Sequence, residues 1–283
     1  MGNSIGKVQT TVSVGGGVLG TGNSSSEIQT NYGNASAAAK STHEVGTASA
    51  SVAIPIGKKM TLTPEVSGLV GKNAVGFGGS LELSKQLNPK LSINYGIGFD
   101  NKKFTGESGQ NEITIVDEQT TGNAGEDELW QTGGFHEQTE VIMNTSNSQR
   151  KTTGYLTAGA KYQVNPKLSF NGGLQVGLTN VKGPSAQVIA DTAGEYVTSG
   201  KKLEYVNIGE DWWDYAYVGK VVKEQRTTHL EQSAEINGNT INGAVKGGAE
   251  YQINKHLAAG VQGQLGIGQH SDSFLGANLK VKF

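Results

Sequence analysis

The stretch Leu168-Ser169-Phe170-Asn171-Gly172-Gly173-Leu174-Gln175-Val176-Gly177-Leu178 sorts its side chains by parity. Leu168, Phe170, Leu174, Val176 and Leu178 share one side, and Ser169, Asn171, Gly173 and Gln175 share the other. A period of two predicts a β-strand with one apolar face. The same alternation runs through residues 7–18, 45–56, 60–70, 75–84, 91–99, 156–164, 245–253, 257–267 and 275–283. About ten antiparallel strands are therefore expected. Pro64 cannot donate to a ladder, so its strand is expected to carry a bulge or to end there.

The connections alternate in length. Four are tight, at Gly57-Lys58-Lys59, Leu87-Asn88-Pro89, Asn165-Pro166 and Asn254-Lys255, and their residues suit reverse turns. One recurs as a module, Tyr162-Gln163-Val164-Asn165-Pro166-Lys167-Leu168 being echoed by Tyr251-Gln252-Ile253-Asn254-Lys255-His256-Leu257. At the opposite end lie connections over about 20–44, 72–73, 101–151, 179–240 and 268–273. The two longest contain further strand-like runs, Glu112 to Val116 and Thr139 to Met143 among them. These are expected as hairpins that prolong barrel strands; if they cross the membrane instead, the count rises to twelve or more.

Composition narrows the class. Of 283 residues, 35% are hydrophobic, 17% are charged and 42 are glycine, and the glycines fall inside the alternating runs rather than in featureless tracts. The net charge of -2 offers no basic field for nucleic acid. The absence of cysteine excludes a disulfide framework, a thiolate metal site and a lipidated cysteine. No run approaches the length of an apolar membrane helix. Residues 1–10 lack the regions of a signal peptide, so an exported protein is expected to be numbered after leader removal.

Alternation alone does not say which face is outside. The polar rows consist largely of Gly, Ser, Asn, Gln and Thr, which suit a crowded lumen better than a water-washed exterior. Tyr162 and Tyr251 by the short turns, and Phe99 toward the long loops, sit where interfacial aromatic girdles belong. Short turns at one rim and long loops at the other complete the pattern. The expected fold is all-β, a single domain forming a closed antiparallel up-and-down transmembrane β-barrel of about 10 strands with extended extracellular hairpin loops and periplasmic termini.

On these features the whole chain resembles the bacterial outer-membrane β-barrel superfamily. Its last strand, Leu275, Ala277, Leu279, Val281 and final Phe283, resembles the signal such proteins present to the barrel-assembly machinery. The resemblance implies a Gram-negative outer membrane and outer-membrane lipid as its surroundings. Ten-stranded members include omptin proteases and an opacity-type adhesin; the residues here match neither closely.

Candidate site residues fall in three groups. Glu65, Glu82, Lys161, Lys246, Glu250 and Lys280 point to the lumen, with Lys7 and Lys282 at its rim. They are expected to form either a paired plug, the favoured reading in so narrow a barrel, or a mixed ring that sets ion preference. Trp212, Trp213, Tyr215 and Tyr217, within Glu210 to Tyr217, form an aromatic cluster able to stack on a glycan or anchor a protein ligand, or else to stiffen a hairpin. Trp130 occupies the other long loop. Residues 101–150 hold nine acidic residues to three basic, and Glu126-Asp127-Glu128 lacks calcium-loop spacing, so a solvated surface and no metal or other cofactor are expected.

Catalysis finds little support. His270 precedes Asp272 by two residues, and His229 could approach Asp214 across a hairpin, but neither neighbourhood resembles the omptin pattern. The expected role is surface interaction or envelope structure carried by the long loops. A narrow channel for ions or small solutes is the alternative, followed by an omptin-like surface hydrolase.

Overall fold

The computed structural model describes residues 7–40, 42–121, 133–199, 202–209, 212–218 and 222–283, with side chains outside 119–135 and 196–223. Among the described residues there are sixteen strands, in chain order β1 (Gln9–Thr21), β2 (Ser25–Thr30), β3 (Gly33–Ala38), β4 (Thr42–Pro55), β5 (Met60–Gly71), β6 (Ala74–Gln86), β7 (Leu91–Phe104) and β8 (Ser108–Thr121). The second half holds β9 (Gly133–Ser146), β10 (Gln149–Gln163), β11 (Leu168–Ser199), β12 (Lys202–Gly209), β13 (Trp212–Val218), β14 (Val222–Gln252), β15 (Leu257–Ile267) and β16 (Asp272–Lys282).

Ten of them close a barrel. The order β10-β7-β6-β5-β4-β1-β16-β15-β14-β11 returns on itself through the β10–β11 ladder, and the chain's first and last barrel strands pair from Thr11↔Lys282 to Thr21↔Asp272. Closure leaves the ten-stranded barrel without a free edge strand, which a sheet spanning hydrocarbon requires. The ten alternating runs in the sequence are these ten strands, all but β15 longer toward the loop end than the alternation indicates.

Three short turns share one mechanism. The side-chain oxygens of Asn88, Asn165 and Asn254 each accept from the backbone N–H groups two and three residues on, at 2.8 and 2.9 Å. The repeated Asn in the sequence module is thus a repeated Asx turn. Pro64 breaks a ladder without bulging it. The β4–β5 register is the same at Ser51↔Glu65 and Ile54↔Leu62, and the pairs between them are missing, where proline has no N–H to give.

The apolar rows face outward. Val66, Leu156, Leu174, Leu265 and Leu275 are 61–71% exposed, as are Tyr95, Tyr162 and Tyr251 to about half. Inward glycines permit the tight wall. An added Cβ on Gly17 would lie 2.2 Å from the Leu275 carbonyl oxygen, whereas on outward Gly16 its nearest contact is 3.4 Å.

At the loop end the structure exceeds a set of loops. Residues between β1 and β4 form the β2–β3 hairpin, and β11 and β14 continue as a paired ladder to Ser199↔Val222. At Lys182/Ser185 the ladder shifts register around Gly183, whose φ of 75° favours glycine, and Pro184. There β11 changes partner from β10 to β9. Beyond it, β8-β9-β11-β14 make a four-stranded sheet reaching about 50 Å past the barrel at roughly 3.3 Å per residue. The β2–β3 hairpin covers one face, burying Ile28, Ala35 and Ala37 against Val141, Met143 and Val188. Ser26 Oγ fastens it by donating to the Pro184 carbonyl at 2.8 Å. The β8–β9 hairpin thus joins the extension and not the barrel, which fixes the barrel count at ten.

Candidate functional site

The barrel interior is layered. Near the short turns, Glu250 receives Lys280 at 2.7 Å, Lys282 at 3.4 Å and, more distantly, Lys161 at 3.9 Å. In the middle, Glu82 accepts from Asn94 at 2.9 Å, while Lys246 lies 5.3 Å from the centre of the Tyr155 ring. Glu65 lines both of two adjoining polar cavities at this level, of about 410 and 520 Å³. The expected lumen charges line the interior as one paired cluster near the short turns and a second group bordering the central cavities, rather than as a single ring or a solid plug.

The closure lies higher, in residues that the sequence reading assigned to loops or left unremarked. Asp272 takes Lys102 at 2.8 Å and Lys151 at 2.9 Å, and Lys102 also approaches Asp100 at 3.4 Å. Lys151 is 1% exposed and also donates to the His270 carbonyl. Above this pair sits an apolar layer of Leu19, Val45, Ala74 and Phe104, all nearly inaccessible, with His43 stacked 4.8 Å from the Phe104 ring. Gln149 and Ser24 hydrogen-bond across the same level.

The sequence does signal this layer. At Val18-Leu19, Leu69-Val70, Ala74-Val75 and Phe274-Leu275 two apolar residues stand side by side, so both faces are apolar there. All four doublets lie at the loop end. Asp100 and Lys102 likewise continue the inward parity of Ser92, Asn94, Gly96 and Gly98. An apolar exterior around a polar, partly hollow interior, closed at the end that carries the long hairpins, decides the class. The chain is a closed, membrane-spanning β-barrel.

No protein-family model and no curated protein matches the sequence. Among solved structures it is similar to the translocator domain of autotransporter NalP from Neisseria meningitidis, at 12% identity and a TM-score of 0.30 over 99% of this chain and 90% of that one. It is also similar to an outer membrane channel from Pseudomonas putida F1, at 12% identity and a TM-score of 0.36 over 100% and 99%. A third similarity is to the attachment invasion locus protein Ail of Yersinia pestis, at 10% identity and a TM-score of 0.28 over 98% and 100%.

Outside the barrel, the aromatic cluster falls on β13, whose ladder with β12 sets Trp213 opposite Asn207, Tyr215 opposite Tyr205 and Tyr217 opposite Leu203. Trp212 pairs with Gly209 across a register shift. Glu210, Asp211, Trp130 and Glu126-Asp127-Glu128 lie outside the described residues.

The expected approach of His229 to Asp214 is corrected. His229 Nδ1 meets Asp191 at 2.6 Å across the β11–β14 ladder, and Asp214 pairs with Val206 in the other hairpin. The hydrogen bond to Asp191, and then its charge, raise the His229 pKa above the usual histidine value. Glu140 is the next residue along that row. His229 and Asp191 are about 60% exposed on an open sheet face, so the pair reads as a cross-strand ion pair. His270 turns from Asp272 to Ser24, 3.1 Å away. Among the described residues no group of acidic and histidine side chains could hold a metal ion.

Proposed function

We propose that this protein sits in the outer membrane of a Gram-negative bacterium and presents its four-stranded sheet as a surface-recognition element. One observation carries this reading: the sheet has an apolar core of its own, outside the membrane, above a closed lumen. Val141 and Val188 are 0% exposed there, burial as complete as in any globular core. A conduit has no use for such a core, whereas a binding element on a rigid frame does.

The outer edge of the sheet supports the same reading. Among the described residues no strand lies beyond β8, and every side chain from Ser108 to Glu118 is exposed, Ile113 and Ile115 included. An uncovered edge offers backbone donors and acceptors to an extended ligand segment. Trp212, Trp213, Tyr215 and Tyr217 are the aromatic residues assigned by this reading to a glycan or protein ligand.

The test uses the refolded protein in nanodiscs against a glycan array and a panel of matrix proteins. Saturable binding to some of these probes is expected. It should weaken about tenfold or more in the Trp212→Ala/Trp213→Ala variant, as for central aromatic anchors. Replacing 108–146 and 186–234 by tight turns should remove it while the barrel stays folded. If the shortened barrel binds as well as the whole, or if the intact protein conducts steadily in planar bilayers, recognition by the sheet is the wrong reading.

A further inference from the structure

The short-turn end carries charge of the opposite kind to the loop end. Lys58 and Lys59 occupy the first short turn, Lys85 and Lys90 flank the second, and Lys167 and Lys255 sit in the third and fourth. Within residues 56–61, 84–92, 161–169 and 250–258 the one acidic side chain is Glu250. The rim therefore forms a positive collar around the mouth of the lumen. Field lines from such a collar concentrate in a low-dielectric opening and draw anions toward it.

Just inside that mouth, the ammonium groups of Lys161, Lys280 and Lys282 share the single Glu250 carboxylate. Lys280 bonds one oxygen at 2.7 Å, Lys282 stands 3.4 Å from the other, and Lys161 stands at 3.9 Å, too far for a hydrogen bond. Lys282 spends its strong hydrogen bond on the neutral Gln252 oxygen at 2.6 Å. Three ammonium groups thus gather on one carboxylate, with Glu65 and Glu82 acting on Lys280 and Lys161 only from a distance. Confined charges without a counter-charge are costly, and a mobile anion relieves that cost.

The space to hold one is present. The cavity of about 520 Å³ is walled at this level by Lys161, Glu250, Lys280 and Lys282, with Asn278 and Ser51 among its neutral polar lining. Lys161 lines the cavity and stays about half exposed. We propose that the mouth of the lumen is an anion site for a phosphate-class group, entered from the short-turn side. A phosphate-class group suits the cluster because its oxygens can accept from three point-charge ammonium donors at once. This reading is independent of recognition by the sheet at the far end.

Such a group could arrive on a free solute or on a phospholipid headgroup, and the experiment separates the two. The full chain, refolded in uncharged detergent without phosphate buffer, is titrated with inorganic phosphate by calorimetry. Saturable binding is expected, weakening as salt is raised. Lys161→Gln is the first variant, because its side chain makes no hydrogen bond to Glu250 and its loss leaves the Glu250–Lys280 pair intact; affinity should fall about tenfold. Glu250→Gln should act in the opposite direction and tighten binding, a change that a purely structural role for the cluster does not produce. In nanodiscs of phosphatidylcholine, a free-solute site keeps its phosphate affinity when phosphatidylglycerol is added. A headgroup site loses it, and native mass spectra then retain phosphatidylglycerol on the wild type but not on Lys161→Gln. Absence of saturable binding of either kind overturns the proposal. So does affinity that follows rim variants such as Lys58→Gln/Lys90→Gln while ignoring Lys161→Gln and Glu250→Gln.

Discussion

Gly17→Val is expected to abolish refolding of the barrel, while Gly16→Val, one residue earlier, is expected to leave it folded. The two glycines differ only in the face they present. A Cβ at Gly17 enters the interior wall, 2.2 Å from the Leu275 carbonyl oxygen and 2.7 Å from the Gly276 Cα. Those are backbone atoms of the β1–β16 ladder, so no rotamer relieves the overlap, and the strand pair that closes the barrel must open. Even alanine there should cost about 3 kcal/mol or more, the upper range of overpacking. At Gly16 the nearest atom is 3.4 Å away and the side chain points into lipid, where valine is at home. The fraction that regains heat-modifiable migration after refolding into micelles reads both outcomes. Equal refolding of the two variants would mean that Gly17 does not face the interior wall.

The second large effect belongs to Asp272. Its two carboxylate oxygens are divided between Lys102 and Lys151, and its side chain is 9% exposed. Asp272→Ala leaves both ammonium groups in a nearly dry layer with one partly exposed carboxylate, Asp100, for Lys102 and none for Lys151. Removing one member of a buried ion pair costs about 3–5 kcal/mol, most of it from the charge left behind. Adding Lys151→Met removes that stranded charge and places an apolar chain against Phe104, so the double variant should recover much of the loss. Urea unfolding in liposomes tests this. Strict additivity of the two substitutions would show that the layer is solvated and does not close the lumen.

Much of this architecture is legible in the sequence because it rests on parity. Runs such as Leu168 to Leu178 must place Leu174 and Gln175 on opposite faces whatever the remaining chain does, and the Asn of three of the four short turns repeats its bonds at 88, 165 and 254. The closing layer was harder to read because it violates the rule that the inward row is polar. Leu19, Val45 and Phe104 occupy that row, and of the three only Leu19 is marked by an apolar doublet. The extension was legible as hairpins but not as a covered sheet. Nothing local in Ile28, Ala35 and Ala37 says that they pack on Val141 and Val188, more than a hundred residues away. Likewise the partner of His229 depends on which strand lies beside β14, a fact of ladder register.

The account depends on the direction in which the β11 side chains point. The chain has no cysteine, so single cysteines at Leu174, Gln175, Val176 and Leu178 can each carry a nitroxide in the bilayer-reconstituted protein. Collision with dissolved oxygen, which concentrates in acyl chains, should be high at 174, 176 and 178 and low at 175. A water-soluble nickel complex should relax none of the three outer positions. Strong relaxation by nickel at 174, 176 and 178, with oxygen favouring 175, would put water outside and apolar contacts within, and would contradict a membrane-spanning barrel.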